Sequence, residues 1–308
     1  MAVSLNRRDV LKGALGAFAA WTSSGVLSAQ RAAGGVRLTD QMALVDGGGS
    51  NVLAFLTGDG YVLVDGGAPK SFDKVMASLG ANAKVHTLFN THHHLDQTGN
   101  NERFSTEGTQ GTPIVAHKRT LEWMSADHWI QADERYERAR PKAARPTETF
   151  LTTGSLQTGG EQIDYGHLTL AHTNGDIYVH FRNANVLAVG DVASPLRDPA
   201  LDYVTGAWIG GRVDSMDVLL TLANEQTRIV PAYGPVMSKA EFKAERDVME
   251  EVRKRLFDQV REGDGPKDML ERGVLKGLAR TWNDPYKFLY DAAKGCWAHH
   301  DKLAPDVV

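Results

Sequence analysis

The stretch from Val85 to Asn100, VHTLFNTHHHLDQTGN, constrains this chain more than any other. Val85, Thr87, Leu88 and Phe89 form a short β-branched and apolar run, the pattern of a buried strand, and the polar cluster from Asn90 stops it. The strand therefore delivers His92, His93, His94 and Asp96 at its end. In an extended chain, side chains at i, i+2 and i+4 share one side, so His92, His94 and Asp96 converge while His93 points away. That is metal-ligand spacing. Imidazole suits zinc, and catalytic zinc sites commonly take three protein ligands and keep one position open, so a third ligand is to be sought far along the chain.

With 308 residues, 42% hydrophobic and 23% charged, and a formal net charge of −4, the chain has ample material for a core and no basic excess pointing to nucleic acid. Its one cysteine, Cys296, excludes an intramolecular disulfide and a cysteine-based metal site. A metal here must be held by His, Asp or Glu.

Asn6-Arg7-Arg8-Asp9-Val10-Leu11-Lys12, a Gly/Ala-rich apolar run from Gly13 to Leu27, and the small residues Ser28-Ala29 resemble a twin-arginine export signal covering residues 1–30. An amphipathic helix of the mature protein is the weaker reading, because the run is apolar all round and holds Gly13, Gly16 and Gly25. The run is also short for a bilayer span, so no stable membrane insertion is expected once the signal is removed. The resemblance implies the twin-arginine machinery as a partner and a periplasmic or secreted location. That route carries folded proteins, often with their metal already loaded.

Beyond the signal, Met42 to Val45, Val52 to Leu56 and Tyr61 to Val64 read as strands. Gly58-Asp59-Gly60 marks a hairpin, and Asp65-Gly66-Gly67 ends the last of them. Ser71 is placed to cap a helix through Phe72, Val75, Met76 and Leu79, with Gly80 as its stop. Ile114 to Ala116 reads as a strand, Leu121 to Ile130 as a helix, and the Arg-rich segment Ala132 to Pro146 as a solvated surface connection. A second strand group follows at Thr149 to Leu151, Glu161 to Ile163, His167 to Ala171, Ile177 to Phe181 and Val186 to Val189. A helix opening at Asp214 or Ser215 and a strand at Arg228 to Val230 come next. Ser238-Lys239-Ala240-Glu241 has the capping-box pattern ahead of a long amphipathic helix, and Lys267 to Leu303 is helical in tone. Two strand-rich halves, each followed by helices, predict a layered α/β protein forming one domain over residues 31–308.

The distant ligands are best sought in Ala171-His172-Thr173-Asn174-Gly175-Asp176 and Val189-Gly190-Asp191, polar groups that follow apolar runs and so sit at strand ends. His92-x-His94-x-Asp96, then His172, then Gly190-Asp191, in this order and preceded by Asp65-Gly66-Gly67, resembles the metallo-β-lactamase superfamily. The resemblance spans Met42 to Val236 and treats the helices after residue 238 as a family-variable tail. It implies a four-layer αββα sandwich with a metal site along one edge. It also implies ligand roles for His92, His94 and His172 at a first zinc, and for Asp96 and Asp191 at a second, Asp191 bridging. Two positions depart from the pattern: Gln97 and Tyr233 stand where the family places metal-binding histidines. One zinc is therefore expected in preference to two.

The expected activity is hydrolysis of a small ester, lactone, lactam or thioester by a metal-activated water. Asp96 or Asp191 orients that water, and Tyr233 serves as an oxyanion donor. A degenerate binding or accessory protein and a mononuclear iron protein are the alternatives, the first favoured by Gln97 and Tyr233. The remaining histidines, His93 among them, read as structural. Asp65 and Asp176 read as supports for the ligands or as turn caps. Trp123, Trp129 and Trp208 could line a cleft but read first as core.

Overall fold

A computed structural model describes residues 35–107, 111–130 and 134–299. The segment read as an export signal lies outside the described residues. The strands are β1 (Val36–Arg37), β2 (Met42–Asp46), β3 (Asn51–Leu56), β4 (Tyr61–Val64), β5 (Val85–Phe89), β6 (Ile114–His117), β7 (His128–Ile130), β8 (Arg135–Glu137), β9 (Glu148–Phe150), β10 (Thr153–Thr158), β11 (Glu161–His167), β12 (Ile177–Phe181), β13 (Val186–Gly190) and β14 (Arg228–Pro231). The helices are α1 (Phe72–Leu79), α2 (Leu95–Thr98), α3 (Asn101–Thr106), α4 (Lys118–Met124), α5 (Ile209–Leu222), α6 (Lys239–Glu262), α7 (Pro266–Glu271) and α8 (Pro285–Ala298).

Seven strands pair in the order β1-β2-β3-β4-β5-β6-β9, five in the order β10-β11-β12-β13-β14, and β7 pairs with β8 alone. Both large sheets are mixed. β4, β5, β6 and β9 run parallel, as do β13 and β14, and the other pairs in these sheets are antiparallel.

The period-2 alternation of the strands builds the layers. Val62 and Val64 face Val186 and Ala188 across a core that also holds Leu53, Phe55, Phe89, Ile177, Val179 and Phe181. Leu63 and Leu88 turn the other way and bury against Phe72, Val75 and Leu79 of α1 and Phe104 of α3. Leu187, Val189 and Ile229 turn outward on the second sheet. They meet Val213 and Met216 of α5, Met249 and Leu256 of α6, and Phe288 and Leu289 of α8. Two sheets face to face between helical layers make the expected αββα sandwich with additional C-terminal helices.

The capping box predicted at Ser238 is present, with Ser238 and Glu241 satisfying each other's backbone N–H groups. Ser71 occupies its cap position, but its hydroxyl donates to Ala68 O (2.7 Å) and makes no side-chain cap.

Three local expectations fail, and one strand goes unforeseen. The segment 121–130 divides, α4 ending at Met124 and His128–Ile130 pairing with Arg135–Glu137 as a hairpin. Thr153–Thr158, too polar to read as a strand, pairs along its whole length with β11. The run Leu168–Ala171 is no strand but a turn, with Leu170 at φ +56°. The fifth helix starts at Ile209, five residues or more before the expected Asp214 or Ser215. Among the described residues, no helix is long and apolar enough to cross a membrane.

Candidate metal centre

The histidine cluster sits where β5 ends, but the backbone does not continue as a strand. His94 is the N-cap of α2, with φ −63° and ψ +149°, and Asp96 lies within that helix. The alternation argument therefore lapses after Phe89: His92 and His94 converge from a bend, and Asp96 lies in the helix. His92, His94 and His172 each offer a ring nitrogen to one cluster whose donor atoms all lie within 4.8 Å of one another. His172 arrives from the turn after β11, held because the Asp176 carboxylate accepts the His172 N–H (2.6 Å), the Thr173 N–H (2.7 Å) and the Thr173 hydroxyl (2.7 Å).

The outer nitrogen of each ring is fixed by its partner. His172 Nδ1 lies 2.9 Å from Ala200 O, and a carbonyl only accepts, so Nδ1 carries the hydrogen and Nε2 keeps a lone pair. His94 Nε2 lies 3.3 Å from Asp202 Oδ2. Burial pushes the Asp202 carboxyl up, but the hydrogen bond and charge of His94 and the nearby His93 outweigh it and bring it to about 2. An ionised carboxylate only accepts, so His94 Nε2 is the donor and Nδ1 faces inward.

For His92, the Thr91 hydroxyl donates to Asp65 (2.8 Å to Oδ2) and so accepts from His92 Nδ1 at 3.0 Å. Asp65, at φ +66°, also accepts the Thr91 N–H at 2.8 Å. His92 Nε2 is left buried with no hydrogen-bond partner among the described residues.

Three lone pairs thus converge, with His94 Nδ1 and His172 Nε2 only 3.0 Å apart. Two lone pairs at that distance repel unless a cation or a proton lies between them. Burial and the neighbouring rings hold His92 well below the usual imidazole range, and burial, His94 and the Arg212 charge bring His172 to about 3. His94 is the exception. Burial lowers it, but its bond to Asp202 and the charges of Asp96 and Asp191 carry it above its ordinary value.

The carboxylates complete a donor set that suits a divalent cation. Asp191 Oδ2 stands 3.5 Å from His92 Nε2 and 3.8 Å from His172 Nε2. Gly190 sets that approach: its φ is +57°, and a Cβ there would meet the Thr91 side chain at 2.9 Å. Burial and the Asp96 charge raise Asp191 to about 7, and burial with Asp191 and Asp96 nearby holds Asp65 well above the carboxylate range. Crowded carboxylates facing imidazole lone pairs are the environment a cation relieves, and His/Asp donors fit zinc or iron.

Asp96 is turned to another partner and accepts a hydrogen bond from the Tyr233 hydroxyl. Burial, that bond and the Asp96 charge hold the phenol above its ordinary range, so Tyr233 is a neutral donor. Its ring lies under the Arg197 guanidinium, 3.2 Å from the centroid. Gln97 is wholly buried, and neither side-chain heteroatom has a hydrogen-bond partner among the described residues.

His93, expected to point away from the cluster, lies against it, with its ring centroid 6.4 Å from that of His92. Its ring centroid is 4.4 Å from that of His94, and Nε2 is 3.7 Å from Asp202 Oδ2. His93, His94 and Asp202 form a second group able to hold an ion. Trp123 packs on His93 at 5.1 Å, Trp208 is buried against Phe257, and Trp129 is exposed on the hairpin.

Sequence reasoning missed Asp202, Thr91 and the Ala200 carbonyl. It also missed the approach of the Arg-rich segment, which lines a cavity of about 350 Å³ beside His94 with Arg135, Arg138 and Arg140. A larger cavity of about 480 Å³ has His94 and His172 in its wall and takes its far side from α8.

A profile of the metallo-beta-lactamase superfamily matches residues 45–244. Among solved structures, the metallo-beta-lactamase from Pontibacter korlensis is similar at 20% identity with a TM-score of 0.54, the match covering 65% of this chain and 87% of that one. The BLEG-1 B3 metallo-beta-lactamase is similar at 17% identity and a TM-score of 0.55, over 65% of this chain and 95% of that chain. The DIM-1 metallo-beta-lactamase is similar at 18% identity and 0.52, over 68% and 92%. At these identities the likeness is one of fold. No curated protein gives a significant match. The matched residues include the sheet pair and the segments that carry His92, His94, His172 and Asp191, and on that ground the chain belongs to the metallo-beta-lactamase superfamily.

Proposed function

We propose that this chain is an exported, zinc-dependent hydrolase of a small carbonyl substrate (an ester, lactone, lactam or thioester), with one ion held by His92, His94 and His172. The observation that carries the proposal is the convergence of three imidazole lone pairs, each forced inward by a partner that takes the opposite nitrogen's hydrogen. A resident zinc ion supplies Lewis acidity, toward a carbonyl oxygen and toward water at neutral pH.

The chain's own residues do the rest. Asp202, Ala200 and Thr91 hold the rings in one tautomer and one orientation. Asp191, beside His92 and His172, is placed to orient a water or take its proton. Tyr233 fixes Asp96 with its hydroxyl, and in that position it acts on Asp96 in place of the open oxyanion-donor role expected of it. A single ion is favoured because Gln97 supplies at most a neutral carbonyl and Tyr233 stays protonated.

The test is activity against a panel of esters, lactones, lactams and thioesters, with and without added zinc, on protein whose metal has been quantified. Turnover that vanishes on chelation and returns with zinc supports the reading. A protein that binds one ion and turns over none of them is instead a binding or accessory protein, and iron in place of zinc favours the iron alternative. Export rests on Arg7 and Arg8. Replacing both with lysine should leave the protein in the cytoplasmic fraction, and unchanged release would remove that part of the proposal.

A further inference from the structure

We infer that α8 gives this chain a pocket for an aromatic ring carried by its substrate, an inference that rests on the hydrolase reading above. The cavity of about 480 Å³ is well beyond what a bare ester or lactam group fills, and it lies in the size range of small-molecule sites. His94 and His172 form part of its wall, so a reacting group near them places its substituent in this space.

Beyond the two histidines most of the wall is apolar or aromatic, with Asp202, Lys287 and Asp291 the charged groups among its residues. Leu201, Tyr203 and Val204 come from the loop that also carries Asp202, and Tyr286 and Tyr290 from α8. The Tyr203 and Tyr290 rings stand 6.2 Å apart at 71°, an edge-to-face pair of the kind that extends naturally to a third ring. Tyr286 is 49% exposed and Val204 40%, large apolar surfaces left in water at the rim of a cavity.

The one cation on this wall is already compensated. The Lys287 ammonium donates to the Asp291 carboxylate, so the wall selects for apolar contact and not for an anion. The superfamily profile ends at residue 244, so Leu201, Tyr203 and Val204 belong to the matched region while the α8 side of the cavity lies beyond it.

The probes are 2-phenylethanethiol and ethanethiol, whose thiols ionise alike because the ring sits two carbons from sulfur. Both can ligate a metal, and only the first carries a ring. Binding is read from the thiolate-to-cobalt absorption of the full chain loaded with cobalt(II), so the readout does not depend on turnover.

Because burying one ring removes on the order of 100 Å² of apolar surface from water, 2-phenylethanethiol should bind at least about tenfold more tightly than ethanethiol. Tyr290→Ala and the exposed-site variant Tyr286→Ala should each weaken 2-phenylethanethiol by roughly threefold or more while leaving ethanethiol within about twofold. Tyr290→Phe should retain the preference. Equal affinity of the two thiols, or equal losses of both in the alanine variants, would overturn the pocket. Cobalt binding with no response to either thiol also refutes the pocket but leaves the metal reading standing, whereas failure to bind cobalt at all refutes the metal reading and takes the pocket with it.

Discussion

Asp202 Oδ2 lies 3.3 Å from His94 Nε2, joining residues 108 positions apart, and it decides which nitrogen of His94 is free to bind a metal. Asp202 is itself well anchored. Its N–H donates to His172 O (2.9 Å), and its carbonyl accepts from the Thr205 hydroxyl (2.9 Å) and the Ala207 N–H (3.1 Å). Partners of this kind typically govern ligand orientation, so Asp202→Ala should weaken zinc affinity by about 10–100-fold. Chelator competition measures this. Asp202→Asn, which keeps a neutral acceptor, should fall between the two. Unchanged affinity in the alanine variant would show that His94 needs no such partner.

Tyr233→Phe separates the Asp96 hydrogen bond from metal retention. It removes only the hydroxyl that donates to Asp96 and keeps the ring under Arg197. Turnover should fall by about 10–100-fold, as for the loss of a partner that orients an active-site group, with metal content unchanged. Equal activity would assign Tyr233 to packing alone.

The loop between Asp191 and Asp202 is pinned by a buried charge cluster. Glu245 accepts the Ser194 N–H at 2.8 Å and faces Arg212 and Arg280, each at 3.7 Å, while Arg212 donates to the Ser194 hydroxyl at 2.9 Å. Glu245→Ala leaves the wholly buried Arg212 without its counter-charge, and removing one partner of such a pair costs about 3–5 kcal/mol. Urea unfolding should show this loss, and zinc affinity should fall with it because the same loop carries Ala200 and Asp202.

Acid should destabilise the fold through a histidine stack remote from the cluster. His117 and His167 lie parallel, 3.7 Å between centroids. Burial, with the neighbouring His167 charge, brings His117 to about 4, and burial lowers His167 as well. Both pKa values are depressed in the fold, so their contribution is present above the unfolded value near 6.5 and is lost as pH falls toward 4. For His117 the loss is on the order of 3 kcal/mol. Unfolding midpoints measured between pH 7 and 4 should fall, and His117→Phe should flatten the slope. A slope unchanged in that variant would place the acid sensitivity elsewhere.

The parts of this fold that were legible in advance are those written locally. The apolar runs Tyr61–Val64, Val85–Phe89 and Val186–Gly190 carry their own period and punctuation, and the ordered His92, His94, His172 and Asp191 motifs sit at their ends or beyond them. What escaped depends on partners distant in sequence. Thr153–Thr158 is a strand only because β11 pairs with it, and His128–Ile130 because β8 does. Asp202 lies in a loop with no periodicity to mark it, and its function follows from meeting His94. Asp96 does not follow the alternation rule because the strand ends at Phe89 and, after a bend, the chain enters α2 at Leu95.

The central claim is that His92, His94 and His172 share one ion. Elemental analysis of the full chain purified without added metal, set beside His172→Ala, tests it most directly. The account predicts about one equivalent of zinc in the wild type and about one tenth of that or less in the variant, both proteins being folded, as expected when one of three ligands is removed. A metal-free wild type, or a variant that keeps its full equivalent, would contradict it.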